Sequence, residues 1–209
     1  MASYYYLAAQ LPYLFYGQTP PMSSEAFKEL AKPLISKHDA ALLDLVSLDL
    51  QPPVHTDSAG SVPSSAYMEK AAPCGSVFID KWREWERVLR LQLAKRRAAK
   101  LGKPGLEGKV EPPEEPADTA AVAESVTGAA LSPLDAEILL DKARWNAIEL
   151  LQGNSYFDCN TIFAYLLKLY ILERRALFQA ETGFAEYKSL YASIMESVQP
   201  GTLASGESK

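Results

Sequence analysis

The chain has 209 residues, 48% of them hydrophobic, and a formal net charge of −5. This length and apolar content suffice for one globular domain, and the mild negative charge is unlike the basic balance of most nucleic-acid-binding proteins. Two cysteines, Cys74 and Cys159, are too few for a disulfide-stapled secreted fold, so we expect a reducing, cytoplasmic location.

The apolar stretches predict neither a secretory signal nor a membrane span. The amino-terminal run from Tyr4 is broken by Gln10 and Pro12, and no basic residue precedes Lys28. The run from Ile162 to Leu172 contains Lys168 and is about half of the roughly twenty apolar residues that a bilayer requires. We therefore expect no direct membrane span.

The amino terminus carries three consecutive tyrosines and has a mixed local preference. Tyr4-Tyr5-Tyr6-Leu7 favours a strand, whereas Leu7-Ala8-Ala9-Gln10-Leu11 favours a helix. We predict a helix here.

Two short helices are predicted next. Ser23 or Ser24 caps the first, which continues until Pro33 disturbs it. Apolar residues at helical spacing mark the buried faces: Phe27, Leu30 and Ala31 in the first helix, and Leu42, Leu45 and Val46 in the second.

The longest predicted helix covers Phe78–Leu101, with Gly102 as its stop. Its apolar stripe, at spacings of four, three and four, consists of Phe78, Trp82, Trp85 and Leu89. We expect Trp82, Trp85 and Leu89 to pack inward against the carboxy-terminal helices, notably against Trp145 and Tyr165.

Three segments are expected to be irregular: residues 51–76, residues 102–131 and the tail 200–209. The second is a long Pro/Glu/Ala-rich linker without aromatic residues. It has too little apolar surface to offset the entropy of ordering, so we predict that it is disordered. The remaining parts, residues 1–101 and 132–199, are predicted to complete one all-α helical bundle.

Three helices are predicted after the linker. Ser132 and Pro133 start the first, which ends at Gly153. The second opens at Asn154 or Ser155, runs to about Glu181 and is apolar almost all round, as a central helix would be. The third carries a narrow packing seam of Phe184, Tyr187, Tyr191, Ile194 and Val198.

The search for catalytic chemistry finds no metal or cofactor motif. His38 and His55, the only histidines, have no metal-ligand spacing. Cys74 lies close to the start of the Phe78 helix, but a nucleophile there would need a depressed pKa. We predict a protein that is not an enzyme and needs no cofactor or small-molecule substrate. An enzyme with an unrecognised site is the least favoured interpretation.

Asp141 shares a helical stripe with Ile138 and Trp145. A buried carboxylate at this position needs a cation, for which we expect Arg174 or Arg175. A structural ion pair is favoured over an acid–base pair.

Positive charge is concentrated at the end of the longest helix. Residues 78–101 hold eight basic and three acidic residues, whereas residues 102–131 hold two basic and six acidic residues. Cations stabilise a helix C-terminus, but the apolar stripe also ends here, which favours a docking surface for an acidic partner or for the protein's own acidic linker. The predicted surface, termed the basic end, comprises Arg90, Arg96, Arg97 and Lys100.

Three groups of residues carry a family resemblance. The first is Tyr4-Tyr5-Tyr6-Leu7-Ala8-Ala9-Gln10-Leu11-Pro12. The second joins Trp82-Arg83-Glu84-Trp85-Glu86-Arg87-Val88-Leu89-Arg90 to Arg97-Ala98-Ala99-Lys100-Leu101-Gly102. The third joins Ala143-Arg144-Trp145 to Leu172-Glu173-Arg174-Arg175. Together they resemble an uncharacterised bacterial family found beside V-type ATP synthase genes. The opening is also distantly similar to the helical cap of V/A-type ATPases, which joins the central rotor shaft to the membrane ring.

The resemblance implies a non-catalytic subunit or assembly factor that binds V-type ATP synthase subunits, peripheral to the inner face of the cell membrane. The predicted partner-binding residues are the basic end together with Tyr4, Tyr5 and Tyr6. The alternative is a nucleic-acid-associated protein that uses the basic end.

Overall fold

The computed structural model describes residues 4–49, 72–102, 119–128, 131–154, 156–177, 189–191 and 193. Every regular element in these residues is helical, which confirms the predicted all-α bundle. The chain divides into two compact units, Met1–Glu173 and Arg174–Lys209. The helices are α1 (Tyr5–Gln10), α2 (Ser24–Ala31), a 3₁₀ turn (Lys32–Leu34), α3 (Lys37–Asp44), α4 (Val77–Lys100), α5 (Thr119–Gly128), α6 (Pro133–Gln152) and α7 (Cys159–Leu177).

Serine hydroxyls start four of these helices. Each accepts the backbone N–H of the residue three positions on, which satisfies one of the free donors of a helix N-terminus. The pairs are Ser23 with Ala26 at 3.1 Å, Ser36 with Asp39 at 3.0 Å, Ser76 with Ile79 at 3.4 Å and Ser132 with Asp135 at 3.1 Å. The predicted starts at Ser23 and Ser132 are therefore confirmed.

Helices α4 and α6 end at glycines, as predicted. Gly102 has φ +64° and Gly153 has φ +65°, a left-handed conformation that glycine adopts without the steric cost of a Cβ. The Gly153 N–H also donates to the Glu149 carbonyl at 3.2 Å and closes the last turn of α6. Gly153 thereby fixes where the chain leaves α6.

Helix α7 is the central helix of the first unit, as its apolar sequence predicted. Its buried residues are Ile162, Phe163, Ala164, Leu166, Leu167, Leu169, Ile171 and Leu172. It begins at Cys159 rather than at the predicted Asn154 or Ser155. Asp158 explains the later start, because its carboxylate accepts the Thr161 N–H at 3.1 Å and acts as the cap.

The aromatic stripe of α4 is buried, but its neighbours differ from the prediction. Trp82 and Trp85 are each 2% exposed and Leu89 is fully buried, which confirms that the stripe packs inward. The two indoles stack on each other with ring centroids 5.6 Å apart. In the described part of the chain, the ring contact of Trp145 is with Tyr16 and that of Tyr165 is with Phe27.

In α3 the buried face is shifted from the predicted one. Leu42, Leu43 and Val46 are buried, whereas Leu45 is 44% exposed. Leu45 lies in the turn after the last residue of α3, where the helical spacing no longer holds. Leu43 therefore takes the inward position that was predicted for Leu45.

The predicted disordered linker contains a helix. Residues 119–128 form α5, which packs against α4 and α6 and buries Thr119, Ala123, Val126 and Thr127. The prediction of disorder is wrong for these ten residues. Three alanines and two threonines give α5 a slim face that can approach other helices closely, a source of burial that low aromatic content does not reveal.

Several sequence predictions lie outside the described residues. These are most of the 51–76 loop, residues 103–118 of the linker and the tail 200–209. Of the predicted third carboxy-terminal helix, only Ser189–Tyr191 and Ser193 are described, and they are helical. No helix among the described residues is long and apolar enough to cross a membrane.

Candidate partner-binding site

A buried ion network fixes α4 against α6. Glu86 is fully buried, and Arg144 grips both of its carboxylate oxygens at 3.1 and 3.0 Å. Arg144 also donates to Asp141 at 3.1 Å, and Arg90 donates to Glu86 at 2.8 Å. Although burial opposes the charge of Arg144, its two carboxylate partners raise its pKa above the usual range. The cation that pairs with Asp141 in this network comes from the same helix.

This network is structural, because its charges are paired and closed to water. The predicted ion pair at Asp141 is thus present, with Arg144 in the role expected for Arg174 or Arg175. Arg90, which was predicted to belong to the basic end, also donates to the Leu48 carbonyl at 3.3 Å. Its guanidinium serves to hold the segment after α3 against α4.

The other residues of the basic end differ in their contacts. Arg96 pairs with Glu124 of α5 at 3.2 Å, and the Lys100 ammonium donates to the Thr127 carbonyl at the end of α5. Arg97 is exposed and has no ion pair within the described residues. The acidic linker was one predicted occupant of this surface, and α5, which lies within that segment, supplies both of these contacts.

The three amino-terminal tyrosines separate into one buried and two exposed side chains. The Tyr4 hydroxyl donates to Asp39 and accepts the Ser36 N–H at 3.2 Å. Burial, followed by the hydrogen bond to Asp39, raises the pKa of Tyr4. Tyr5 and Tyr6 are exposed, and the Tyr5 ring lies 4.4 Å from that of Phe157. Tyr4 therefore anchors α1, while Tyr5 and Tyr6 remain available at the surface.

A cleft of about 500 Å³ opens beside these exposed tyrosines, between the amino-terminal segment and the junction of α6 with α7. We term it the aromatic cleft. Its aliphatic wall consists of Ala8, Leu11, Pro12 and Leu14, and its rings are Tyr13, Tyr156, Phe157 and Tyr165. Three of these rings, Tyr13, Tyr156 and Phe157, belong to exposed residues.

Two anchors hold the cleft open at defined positions. The Tyr4 N–H donates to the Phe157 carbonyl at 2.6 Å, which ties the start of α1 to the α6–α7 turn. The Tyr16 hydroxyl donates to the Ile138 carbonyl at 2.8 Å, and the Tyr16 ring packs edge-on against Trp145. The amino-terminal wall of the cleft is thus fastened at both ends to the helical bundle.

The charged groups in the cleft neutralise each other. Glu149 accepts hydrogen bonds through one carboxylate oxygen, Oε1, from the Trp145 indole at 2.9 Å and from Lys168 at 3.2 Å. The Lys168 ammonium also lies 5.2 Å from the Trp145 ring centroid, within range of a cation–π contact. Lys168 is therefore committed on two sides, whereas Glu149 Oε2 has no hydrogen bond within the described residues.

Tyr165 lies at the back of the cleft. Its hydroxyl oxygen is closed to water and has no hydrogen-bond partner in the described part of the chain. Burial raises the pKa of Tyr165 to about 12, so the phenol is neutral at physiological pH. The ring therefore contributes an uncharged wall to the cleft.

The candidate catalytic residues gain no support from their surroundings. Burial raises the pKa of the Cys74 thiol, which is the opposite of what a nucleophile requires. Among the residues that the structure describes, no group of three or more potential ligands is placed to hold a metal ion.

Comparison with known proteins gives one match. A model of the family described as "Protein of unknown function (DUF2764)" matches residues 119–198, from α5 through α7 and beyond. The α6–α7 side of the aromatic cleft lies in the matched segment, and the amino-terminal wall lies outside it. Neither the curated proteins nor the solved structures yield a match.

Most of the aromatic cleft was not predicted from the sequence. The predicted site includes Tyr4, Tyr5 and Tyr6 but not Tyr156 and Phe157, which lie beside the amino terminus in the fold. A usable signal was present, because two adjacent aromatic residues directly after a helix-ending Gly153-Asn154 pair fall in a turn, where large rings are hard to bury.

Proposed function

We propose that this protein is a non-catalytic subunit or accessory factor of a V-type ATP synthase, and that it binds another subunit through the aromatic cleft. The observation that carries the proposal is the exposed aromatic surface around a preformed cleft. Tyrosine and phenylalanine are enriched at the centres of protein interfaces, where their large rings lose water at little cost in side-chain entropy.

The identity of the partner rests on the family resemblance of the sequence. The motif residues have structural duties that explain why they stand together. Glu86 of the Trp82-to-Arg90 stretch pairs with Arg144, and Glu173 accepts the Ser24 N–H at the start of α2 at 2.6 Å. The tyrosine-rich opening is different, because it also places exposed rings beside the cleft.

The nucleic-acid alternative loses support from the same geometry. Arg90, Arg96 and Lys100 each have a partner within the chain. Phosphate binding would have to compete with these contacts, and the net charge of −5 would oppose the approach of a polyanion. Protein binding at the cleft requires no existing contact to be broken.

The partner is tested by affinity capture from detergent-solubilised membranes of the native host. The tagged protein is expected to enrich subunits of the V-type ATP synthase over an unrelated tagged helical protein of similar charge, as measured by quantitative mass spectrometry. Recovery of these subunits at the level of the control would refute the proposed partner.

A further inference from the structure

The chemistry of the aromatic cleft specifies what kind of group can occupy it. This inference deepens the proposed function, since it concerns the same cleft, and it is tested without the ATP synthase. Three properties decide the choice of ligand: the volume, the balance of charge and the excess of hydrogen-bond acceptors.

The volume fits one large side chain with its flanking backbone. A cleft of about 500 Å³ lies in the range of sites that hold small ligands. Its aliphatic wall on α1 and the following segment faces the rings of Tyr156 and Phe157. Such walls favour an aromatic ring, which can stack on one side and pack against methyl groups on the other.

The balance of charge disfavours an ionic ligand. An anion would meet the Glu149 carboxylate and the carboxyl end of α6, where the helix dipole is negative. A cation would meet Lys168, whose ammonium lies 3.2 Å from Glu149 and cancels its charge. A neutral guest avoids both penalties.

The polar groups left over in the cleft are acceptors. Glu149 Oε2 is uncommitted within the described residues, and Glu149 is about half exposed. Gln152 and Gly153 bring the last turn of α6 to the cleft, where helix carbonyls lack intrahelical partners. A guest that carries a polar hydrogen can satisfy these acceptors.

We infer that the aromatic cleft binds a tryptophan or tyrosine side chain presented by a segment of the partner polypeptide. The ring packs between the α1 wall and the rings of Tyr156 and Phe157. The indole N–H or phenol O–H donates to Glu149 Oε2 or to a carbonyl at the end of α6. Phenylalanine fits the same walls but leaves the acceptors without a donor.

The inference is tested on the purified full chain with single blocked amino acids as probes, followed by amide NMR. We expect the N-acetyl amides of tryptophan and tyrosine to bind in the millimolar range and to shift the signals of Ala8, Gln152, Tyr156 and Phe157. The phenylalanine probe should bind about three- to tenfold more weakly than the tyrosine probe, because it lacks one hydrogen bond. The arginine and glutamate probes should be weaker still.

Two variants of α1 locate the binding. Ala8→Leu fills the cleft and should abolish the shifts, whereas Ala9→Leu adds the same bulk at an exposed neighbouring position and should leave them unchanged. Equal binding of the phenylalanine and tyrosine probes, a preference for the arginine probe, or shifts that persist in Ala8→Leu would each overturn the inference. Capture of the ATP synthase without probe binding would reject this inference and leave the proposed function standing.

Discussion

Glu86 of α4 and Arg144 of α6 are 58 positions apart in the sequence and meet inside the bundle in a two-point ion pair, with nitrogen–oxygen distances of 3.1 and 3.0 Å. The pair couples two of the motifs that carry the family resemblance. Since Glu86 is fully buried, its charge depends on Arg144 and Arg90 for compensation.

Removal of Arg144 should therefore strongly destabilise the protein. Arg144→Met leaves two buried carboxylates short of a cation, and we expect a loss of about 3–5 kcal/mol in the free energy of unfolding. Lys32→Met is the matched control, because Lys32 and Asp44 form an exposed pair that should be worth no more than about 1 kcal/mol. Urea denaturation measures both. A loss below about 1 kcal/mol for Arg144→Met would show that the network does not hold the bundle together.

Two tyrosine hydroxyls should have opposite effects on stability. Tyr4→Phe removes a hydroxyl that bonds Asp39 and Ser36, and should cost about 1–2 kcal/mol. Tyr165→Phe removes a buried hydroxyl without a partner in the described residues, and should be neutral or stabilising by up to about 1 kcal/mol. Thermal unfolding of the two variants distinguishes them. A larger loss for Tyr165→Phe than for Tyr4→Phe would contradict the assignment.

The Tyr165 phenol also makes a prediction about alkaline pH. Its folded pKa of about 12 lies above the ordinary value of 10.0, so the folded state holds this proton more tightly than the unfolded state. The resulting stability is present below pH 10 and is lost as the pH rises towards 12. Wild type should lose stability more steeply than Tyr165→Phe across this window. Parallel pH profiles would refute the effect.

Helix α5 should contribute to stability even though it lies in a segment that composition marks as linker. Ala123→Asp places a charge at a fully buried position and should cost several kcal/mol, roughly the penalty of burying an unpaired polar group. Ala121→Asp puts the same side chain on the exposed face of α5, and should change stability by no more than about 0.5 kcal/mol. Similar melting temperatures for the two variants would mean that α5 does not pack on α4 and α6.

Helices α5 and α6 differ in how far sequence patterns predict them. Ser132, Pro133 and Gly153 mark the ends of α6 through local backbone chemistry, so both ends could be predicted from the sequence. Helix α5 gains its order from long-range contacts, including those of Arg96 and Lys100 with Glu124 and Thr127. Such contacts leave no periodic signal in the sequence.

The candidate site was predictable only in part for a similar reason. The three amino-terminal tyrosines stand out by composition, but only the fold shows that Tyr4 is an anchor and that Tyr5 meets Phe157. The same holds for Glu149 and Lys168, which lie on different helices and meet across the cleft. Residues brought together by tertiary packing cannot be paired from spacing along one chain.

The basic end should bind nucleic acid weakly. Of its four residues, Arg97 alone has neither an ion pair nor a side-chain hydrogen bond within the described residues, so single-stranded RNA should show negligible binding at about 0.15 M salt. Arg97→Glu should leave the melting temperature unchanged, because exposed substitutions alter stability by no more than about 0.5 kcal/mol. Fluorescence anisotropy measures the binding. Tight RNA binding that falls steeply with salt and is lost in Arg97→Glu would favour the nucleic-acid alternative.

The measurement that tests the central claim most directly is the recovery of V-type ATP synthase subunits by wild type, Ala8→Leu and Ala9→Leu from the same solubilised membranes. Thermal unfolding first establishes that the three proteins are equally folded. If the aromatic cleft is the docking site, Ala8→Leu recovers at least tenfold less of these subunits, which corresponds to about 1.4 kcal/mol of binding free energy, and Ala9→Leu matches wild type. Equal recovery by all three proteins would contradict binding through the cleft, and absence of the subunits from the wild-type sample would contradict the proposed partner.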